Sequence, residues 1–495
     1  MAPMAPGAWP LVGHLPFFEN SKPTHVTFGD MAEVLGPVFM TKLGSYNVMI
    51  ISNQEVTKEC FTVHDKVIDR VDLTASKLLG YNGSFITFTP YGPYWQELRK
   101  IAASELFSTT TIDKLKDTRA REVDVTFKDF YVRWEQEGRA KKGVLVDMKR
   151  EFQDLAANIS LMMIAGKRYF GASPNCEEVQ ARRCGKLIQE FFDYFGLYML
   201  SDVMPPLGWS EWKIKRGMKR TATELDKVVE AWVEEHKKSR RDPNARFEKD
   251  YLDLLIEIFE KREILDRSHD AHTTIKALCL NMVFAGSEPV IVMLVWAVSL
   301  LVNNPHVLRK AQEELDQKIG RDKVVEESDI KDLVYLHAVV KETFRLYPPL
   351  PLVAYRYVME DFDIANGNFH VPAGTQMLVN EWKIQRDPNL WSDPELFEPE
   401  RFLTSQKEEN FNGRNNYKLF PFGLGRRSCP AIPLGMRMVH YILARFLHSF
   451  DLATPLSQDV DMTESNGFVN LKATPLQILI NPRLHQSLYH VDRSV

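Results

Sequence analysis

The chain opens with MAPMAPGAWPLVGHLP, a Pro- and Gly-rich run without an apolar block, which predicts extended backbone. Residues 37–52, PVFMTKLGSYNVMIIS, alternate and turn at Gly44-Ser45, so they predict a β-hairpin. From about Asp65 onward helical periodicity dominates. One helix is predicted near PYGPYWQELRKIAASELF, and others fill residues 110–260 up to the charged connector SRRDPNARFEKD at 239–250. The most apolar stretch runs from Ala277 to Val302. It is long enough to span a bilayer. Glu288 near its middle would be expensive in lipid, however, and amphipathic sequence flanks the run on both sides, so a buried core helix is predicted. Near the C-terminus Met438, Ile442, Leu443, Phe446 and Leu447 share one side of another helix. No internal repeat or low-complexity linker divides the chain. The pattern predicts one large, mainly α unit with a small β region.

Composition narrows the function classes. At 495 residues the chain can bury a large core, and 44% hydrophobic with 26% charged residues is ordinary for a soluble globular protein. A net charge of -4 gives no general pull toward nucleic acid. The five cysteines, Cys60, Cys176, Cys184, Cys279 and Cys429, are widely spaced, with no CxxC pair. Neither a disulfide framework nor a zinc site is indicated, and a reducing compartment is expected.

Candidate chemistry concentrates in FPFGLGRRSCPAIPLG, residues 420–435. Gly423 and Gly425 open a loop, Arg426 and Arg427 follow, and Cys429 precedes the amphipathic helix. Free helix N–H groups and nearby positive charge favour thiolate over thiol. Glycines let backbone approach whatever the sulfur binds. The pattern Phe422-x-x-Gly425-x-Arg427-x-Cys429 resembles the haem-binding loop of the cytochrome P-450 superfamily, in which the cysteine thiolate ligates haem iron and favours O–O cleavage. Ala431 stands where that family usually has glycine.

Further motifs agree with the resemblance. Glu342 and Arg345 in KETFRLYPPLPL lie one helical turn apart, and Arg401 follows in RDPNLWSDPELFEPERF. By spacing alone the first two form an i,i+3 ion pair; the resemblance implies a buried structural triad of all three. Trp95 and Arg99 face one way at i and i+4, and both can donate to a carboxylate. The resemblance makes them haem-propionate donors, together with Arg356 and Arg427. It extends from about Trp9 to about Leu484 and is most similar to a plant group containing alkaloid hydroxylases and nicotine N-demethylases. It implies the P-450 fold, with a Pro-rich hinge over 1–36 and the catalytic domain over 37–495.

In that family the long central helix crosses the oxygen-binding face of the haem. Here it reads Ala285-Gly286-Ser287-Glu288-Pro289. Ala285 and Gly286 would flank oxygen, and Glu288 would relay protons. The family usually has threonine where Pro289 stands. Proline supplies neither hydroxyl nor N–H, and it strains the helix against the carbonyl of Ala285. A freed carbonyl in a widened turn could hold an ordered water. Substrate contacts expected from the resemblance are Tyr81, Phe85, Phe88, Phe284, Ser287, Leu352, Val353, Phe468 and Val469, around an apolar, aromatic-rich pocket.

The resemblance therefore implies a monooxygenase using haem b, with electrons from NADPH through a separate cytochrome P-450 reductase and a small apolar plant metabolite as substrate: an alkaloid, or else a terpenoid or phenolic. Pro289 keeps two alternatives open. One is atypical chemistry, such as ring formation, desaturation, isomerisation or dehydration. The other is a haem-binding protein without turnover. Relatives usually carry an N-terminal membrane helix, so the expected native setting is the cytosolic face of the endoplasmic reticulum, and the chain is expected to be an anchor-truncated form.

Overall fold

A computed structural model describes residues 2–490 except 19–21, 140–142, 172–176, 198, 242–248, 262–269, 408, 410, 412–416 and 456–457. Cys176 and most of the 239–250 connector lie outside the described residues. The predicted hairpin is present as β1 (Val38–Leu43) and β2 (Tyr46–Ile51), paired antiparallel from Val38↔Ile51 to Leu43↔Tyr46. Gly44 turns it with φ of 57°. Three further strands complete this sheet: β3 (Ile68–Arg70), β5 (Leu352–Val358) and β8 (Gln376–Asn380), in the order β1-β2-β8-β5-β3. Only the β2–β8 pair is parallel. A second sheet joins β4 (Val144–Asp147), β10 (Gln477–Pro482) and β9 (Phe450–Ala453), and β6 (Phe362–Ile364) pairs with β7 (Phe369–Val371). The N-terminal stretch is tied to the first sheet, with Ala5 N–H donating to Met40 O at 2.8 Å. The helix Thr24–Leu35 buries Phe28 and Ala32 against Phe39 and Val48.

Helices form the rest. The apolar run is a continuous helix of 33 residues, Ala271–Asn303, with Pro289 inside it and Asp270 capping it through Thr273 N–H. Among the described residues it alone is long and apolar enough to cross a membrane, yet 72% of its apolar window is buried inside the protein. It is the central core helix, packed against Met148–Ala165, Val334–Leu346 and Ile432–Ser449. All-round apolarity is what a helix enclosed by other helices requires. The Ile432–Ser449 helix buries Met438, Ile442, Leu443, Phe446 and Leu447.

Beside this core Glu342, Arg345 and Arg401 are almost wholly buried. Arg345 grips both oxygens of Glu342 at 2.7 and 2.8 Å, and Arg401 Nε donates to Glu342 Oε1 at 3.0 Å. The remaining guanidinium protons go to the carbonyls of Gln385, Pro394, Leu396, Ser392 and Asp393, with Arg401 Nη2 also 3.2 Å from the Glu398 carboxylate. The network therefore welds the Val334–Leu346 helix to the Pro-rich 385–401 segment.

Candidate active site

A cavity of about 300 Å³ lies between the central helix, the 420–435 loop, the helix Pro93–Ile101 and the edge of the first sheet. Cys429, Phe422, Trp95, Arg99, Arg356, Arg427, Ala285, Gly286, Pro289 and Val353 all line it. Residues more than 300 positions apart thus converge on one space.

Cys429 is set by its loop. Its N–H donates to Phe422 O at 2.8 Å, and Ala431 N–H donates to its sulfur at 3.4 Å. Burial pushes the thiol up, while the Ala431 N–H and the Arg99 charge pull it down. The expected help from Arg426 and Arg427 is corrected: Arg426 binds Asp65, and Arg427 binds Asp69 at 2.5 Å. Gly425 is corrected too. It lies outside the cavity wall, and at φ of 65° a Cβ there would strike the Asp65 carboxylate at 2.7 Å, so this glycine makes room for the Asp65–Arg426 contact. Of Gly423 and Gly425, it is Gly423 that lines the cavity.

One rim of the cavity is cationic. Arg427 stacks 4.3 Å over Trp95, whose indole N–H donates to Ile86 O at 3.2 Å. Arg99 donates to Ser428 O at 2.6 Å. Arg70, absent from the sequence expectations, also lines the cavity, and β3–β5 pairing sets it directly opposite Arg356. Like charges so placed repel. Burial first, then neighbouring arginines, push Arg356 well below its ordinary range, and burial and Arg427 bring Arg70 down to about 9. Arg356 Nη1 and Arg70 Nε are buried without a hydrogen-bond partner. Among the described residues Asp65 and Asp69 supply the opposing charge, and both are engaged by Arg426 and Arg427. This donor set fits an anionic group, such as the two carboxylates of a haem, with the thiol of Cys429 in the same cavity.

The opposite wall is a single face of the central helix. Leu278, Asn281, Met282, Ala285 and Pro289 recur at helical spacing and line the cavity. Asn281 and Thr87 hold each other through hydrogen bonds of 2.9 to 3.2 Å. Glu288, the expected proton relay, lies on another face of the helix and does not itself line the cavity. Its charged neighbours are Lys149 and Asp193, and burial raises its carboxyl to about 7.

Of the expected substrate contacts only Val353 lines the cavity. Tyr81 instead donates to Asp226 at 2.9 Å. Phe85, Phe88 and Phe284 pack with Phe195 in an aromatic cluster. Ser287 donates to Ser160 at 3.1 Å. Leu352 belongs to the core beneath the Thr24–Leu35 helix, while Phe468 and Val469 pack around Val292 and Trp296. The apolar wall comes rather from residues such as Ile86, Leu278, Met282, Val290 and Leu350. Those on the central helix were discoverable by stepping three and four residues from Ala285 and Gly286.

A family model described as Cytochrome P450 matches residues 3–480. The chain is 43% identical to the strychnine-10-hydroxylase of Strychnos nux-vomica, over 99% of this chain and 92% of that protein. It is also 43% identical to a xanthotoxin 5-hydroxylase of Arabidopsis thaliana, over 99% of this chain and 94% of that one. A solved zebra fish cytochrome P450 with progesterone has a TM-score of 0.76 at 23% identity, covering 93% of this chain and 99% of the other. That last likeness concerns the fold.

Proposed function

The chain belongs to the cytochrome P450 family and is a monooxygenase of that haem-thiolate class; from that premise we propose that Cys429 ligates the haem iron and that this cavity oxidises a small apolar plant specialised metabolite. Arg70, Trp95, Arg99, Arg356 and Arg427 hold the haem propionates. The observation that carries this reading is the pair of unpartnered guanidinium groups, Arg70 and Arg356, in the wall that also holds the Cys429 thiol. When bound, the haem supplies oxygen activation with electrons delivered from NADPH by a separate reductase. The protein does the rest. Ala431 N–H and Arg99 stabilise the thiolate, and the arginine rim fixes orientation. The apolar wall excludes water and selects for apolar surface. Glu288, near neutrality in its carboxyl, exchanges protons at physiological pH. Glu342, Arg345 and Arg401 act structurally. The favoured substrate is an alkaloid, in keeping with the strychnine hydroxylase resemblance, with phenolics and terpenoids next. On this reading the enzyme works at the cytosolic face of the endoplasmic reticulum.

The test is reductase-coupled turnover on a panel of plant alkaloids, phenolics and terpenoids under isotopically labelled dioxygen. An NADPH-dependent product carrying the label supports the reading. An unlabelled NADPH-dependent product would favour ring formation or desaturation, and a product formed without NADPH would overturn it. Cys429→Ala should abolish the thiolate-type spectrum of the reduced carbonyl complex.

A further inference from the structure

We infer that His236, Asp250 and Asp253 form a site for a divalent transition-metal ion of the zinc class, which ties the end of one helix to the start of the next. None of the three lines the cavity around Cys429, so the inference stands apart from the haem reading.

The topology brings the three together across a chain reversal. His236 lies near the end of the helix Trp212–Arg240. Asp250 immediately precedes the helix Tyr251–Lys261, and Asp253 sits in that helix's first turn. His236 Nε2 is 2.8 Å from Asp250 Oδ2, and one donor atom from each of the three residues lies within 4.8 Å of the others. Donors about 2.0–2.2 Å from a shared zinc ion lie about 3–4 Å from one another, so small side-chain rotations complete the geometry. Among the described residues no other three side chains of His, Cys, Asp or Glu come so close.

Each donor is prepared for the role. His236 Nδ1 faces Trp232 O at 2.8 Å. A carbonyl only accepts, so Nδ1 carries the hydrogen and Nε2 is the nitrogen turned to the carboxylates. Metal-binding histidines are oriented by such a bond from their second nitrogen. Asp250 is divided between two tasks: Oδ1 accepts from Asp253 N–H at 3.0 Å, while Oδ2 faces the imidazole.

Asp253 carries the argument furthest. It is 2% exposed, and neither of its carboxylate oxygens has a hydrogen-bond partner. Arg240 does not neutralise it, because its guanidinium donates to the main-chain oxygen of Asp253 and to Glu260. Lys249 is held by Glu257. Two enclosed carboxylates beside one imidazole call for more positive charge than a single ring supplies. A divalent ion supplies it. One nitrogen and two oxygen donors suit zinc, whereas magnesium and calcium favour oxygen alone. Asp250, the least buried of the three with a side chain 12% exposed, marks the side open to a water ligand. Tyr251, between the two aspartates, does line the cavity, so the bound ion also steadies a piece of the chamber wall.

The test measures zinc bound to the haem-loaded full chain, by equilibrium dialysis and atomic emission, with the reduced carbonyl spectrum recorded first. One zinc per chain is expected. At about a hundred times its dissociation constant zinc should raise the melting midpoint by about 3 °C, and a chelator should reverse the rise. Asp253→Asn, which keeps the shape and removes the charge, should weaken binding by more than about ten-fold, the least that even an outer-shell partner contributes, and abolish the shift. His370→Ala removes an exposed histidine flanked by Asp361 and Asp363 and should leave both unchanged. No zinc on the parent chain would overturn the inference and leave the carboxylates balanced by protons. Binding that survives Asp253→Asn, or that His370→Ala removes, would overturn it as well. Should Asp253→Asn fail to fold, anomalous diffraction at the zinc edge from crystals of the parent decides: an ion among the three residues supports the site, and an ion elsewhere overturns it.

Discussion

Replacing Glu288 by Gln should stabilise the protein, and more so as pH rises. The carboxyl sits inside the most apolar helix, and burial moves it from 4.5 to about 7, with Asp193 adding to the rise and Lys149 opposing it. The folded state thus favours the protonated acid. No penalty exists well below about pH 4.5, where folded and unfolded chains both hold the proton; it grows through the window up to about 7 and is constant above that. At about 1.4 kcal/mol per unit, the penalty is about 1 kcal/mol near pH 5.5 and about 3 kcal/mol near pH 8.5. Glutamine has nearly the same shape and no charge, so the variant escapes it. With an unfolding entropy of about 1 kcal/mol/K for a chain this long, the gap in melting midpoint should widen by about 2 °C between those pH values. Paired scanning calorimetry of parent and variant at matched scan rate measures it. Parallel melting curves across the range, or a variant less stable at the alkaline end, would refute the argument that Glu288 is held protonated by its surroundings.

Other perturbations test other parts. Glu342→Ala strands Arg345 and Arg401 without their buried carboxylate and should destabilise by about 3–5 kcal/mol; an unchanged melting midpoint would show the triad to be dispensable. Arg356→Gln should act with opposite signs in two states. It should raise the midpoint of haem-free protein by relieving repulsion with Arg70 and Arg427, and lower haem retention on gel filtration; a shift in the same direction in both assays counts against an anion-binding rim. Burial pushes the Cys60 thiol up to about 12 and the Cys279 thiol higher still. Alkylation at neutral pH, followed by mass spectrometry, should therefore spare both until the protein unfolds, and labelling of the native protein would contradict their enclosure.

What the sequence disclosed depends on whether local pattern or long-range register decides the matter. The hairpin at Gly44 and the central helix were legible because period and turn chemistry are local. Cys429, Trp95 and Arg99 were legible because their spacing forms a dense pattern. Arg70 was not, since nothing near DRVDLT marks it, and only β3–β5 pairing brings it opposite Arg356. The substrate contacts failed for a similar reason. Apolar aromatic side chains such as Phe85 and Phe284 served the core rather than the cavity, because neighbouring rings could enclose them completely.

One strand shows how register builds the chamber. Val353 and Arg356 are three residues apart in β5, and in a regular strand they would point to opposite faces. Both nevertheless line the cavity. The pairing of β5 with β8 shifts register between these two positions. A bulge of this kind re-aims side chains beside functional sites. It turns an apolar contact and a cation toward the same space, and it does so where the Arg70–Arg356 repulsion opposes stability. Irregularity and repulsion in the same few residues mark a place where the fold gives up stability to present an anion-binding rim. Deleting one residue between Val353 and Arg356 would restore regular pairing and set the two at i and i+2, on one face of the strand, so the sheet should steady while Arg356 still faces the cavity. Circular dichroism melts and haem content would register the two effects separately, and a loss of haem content after such a deletion would sink the argument.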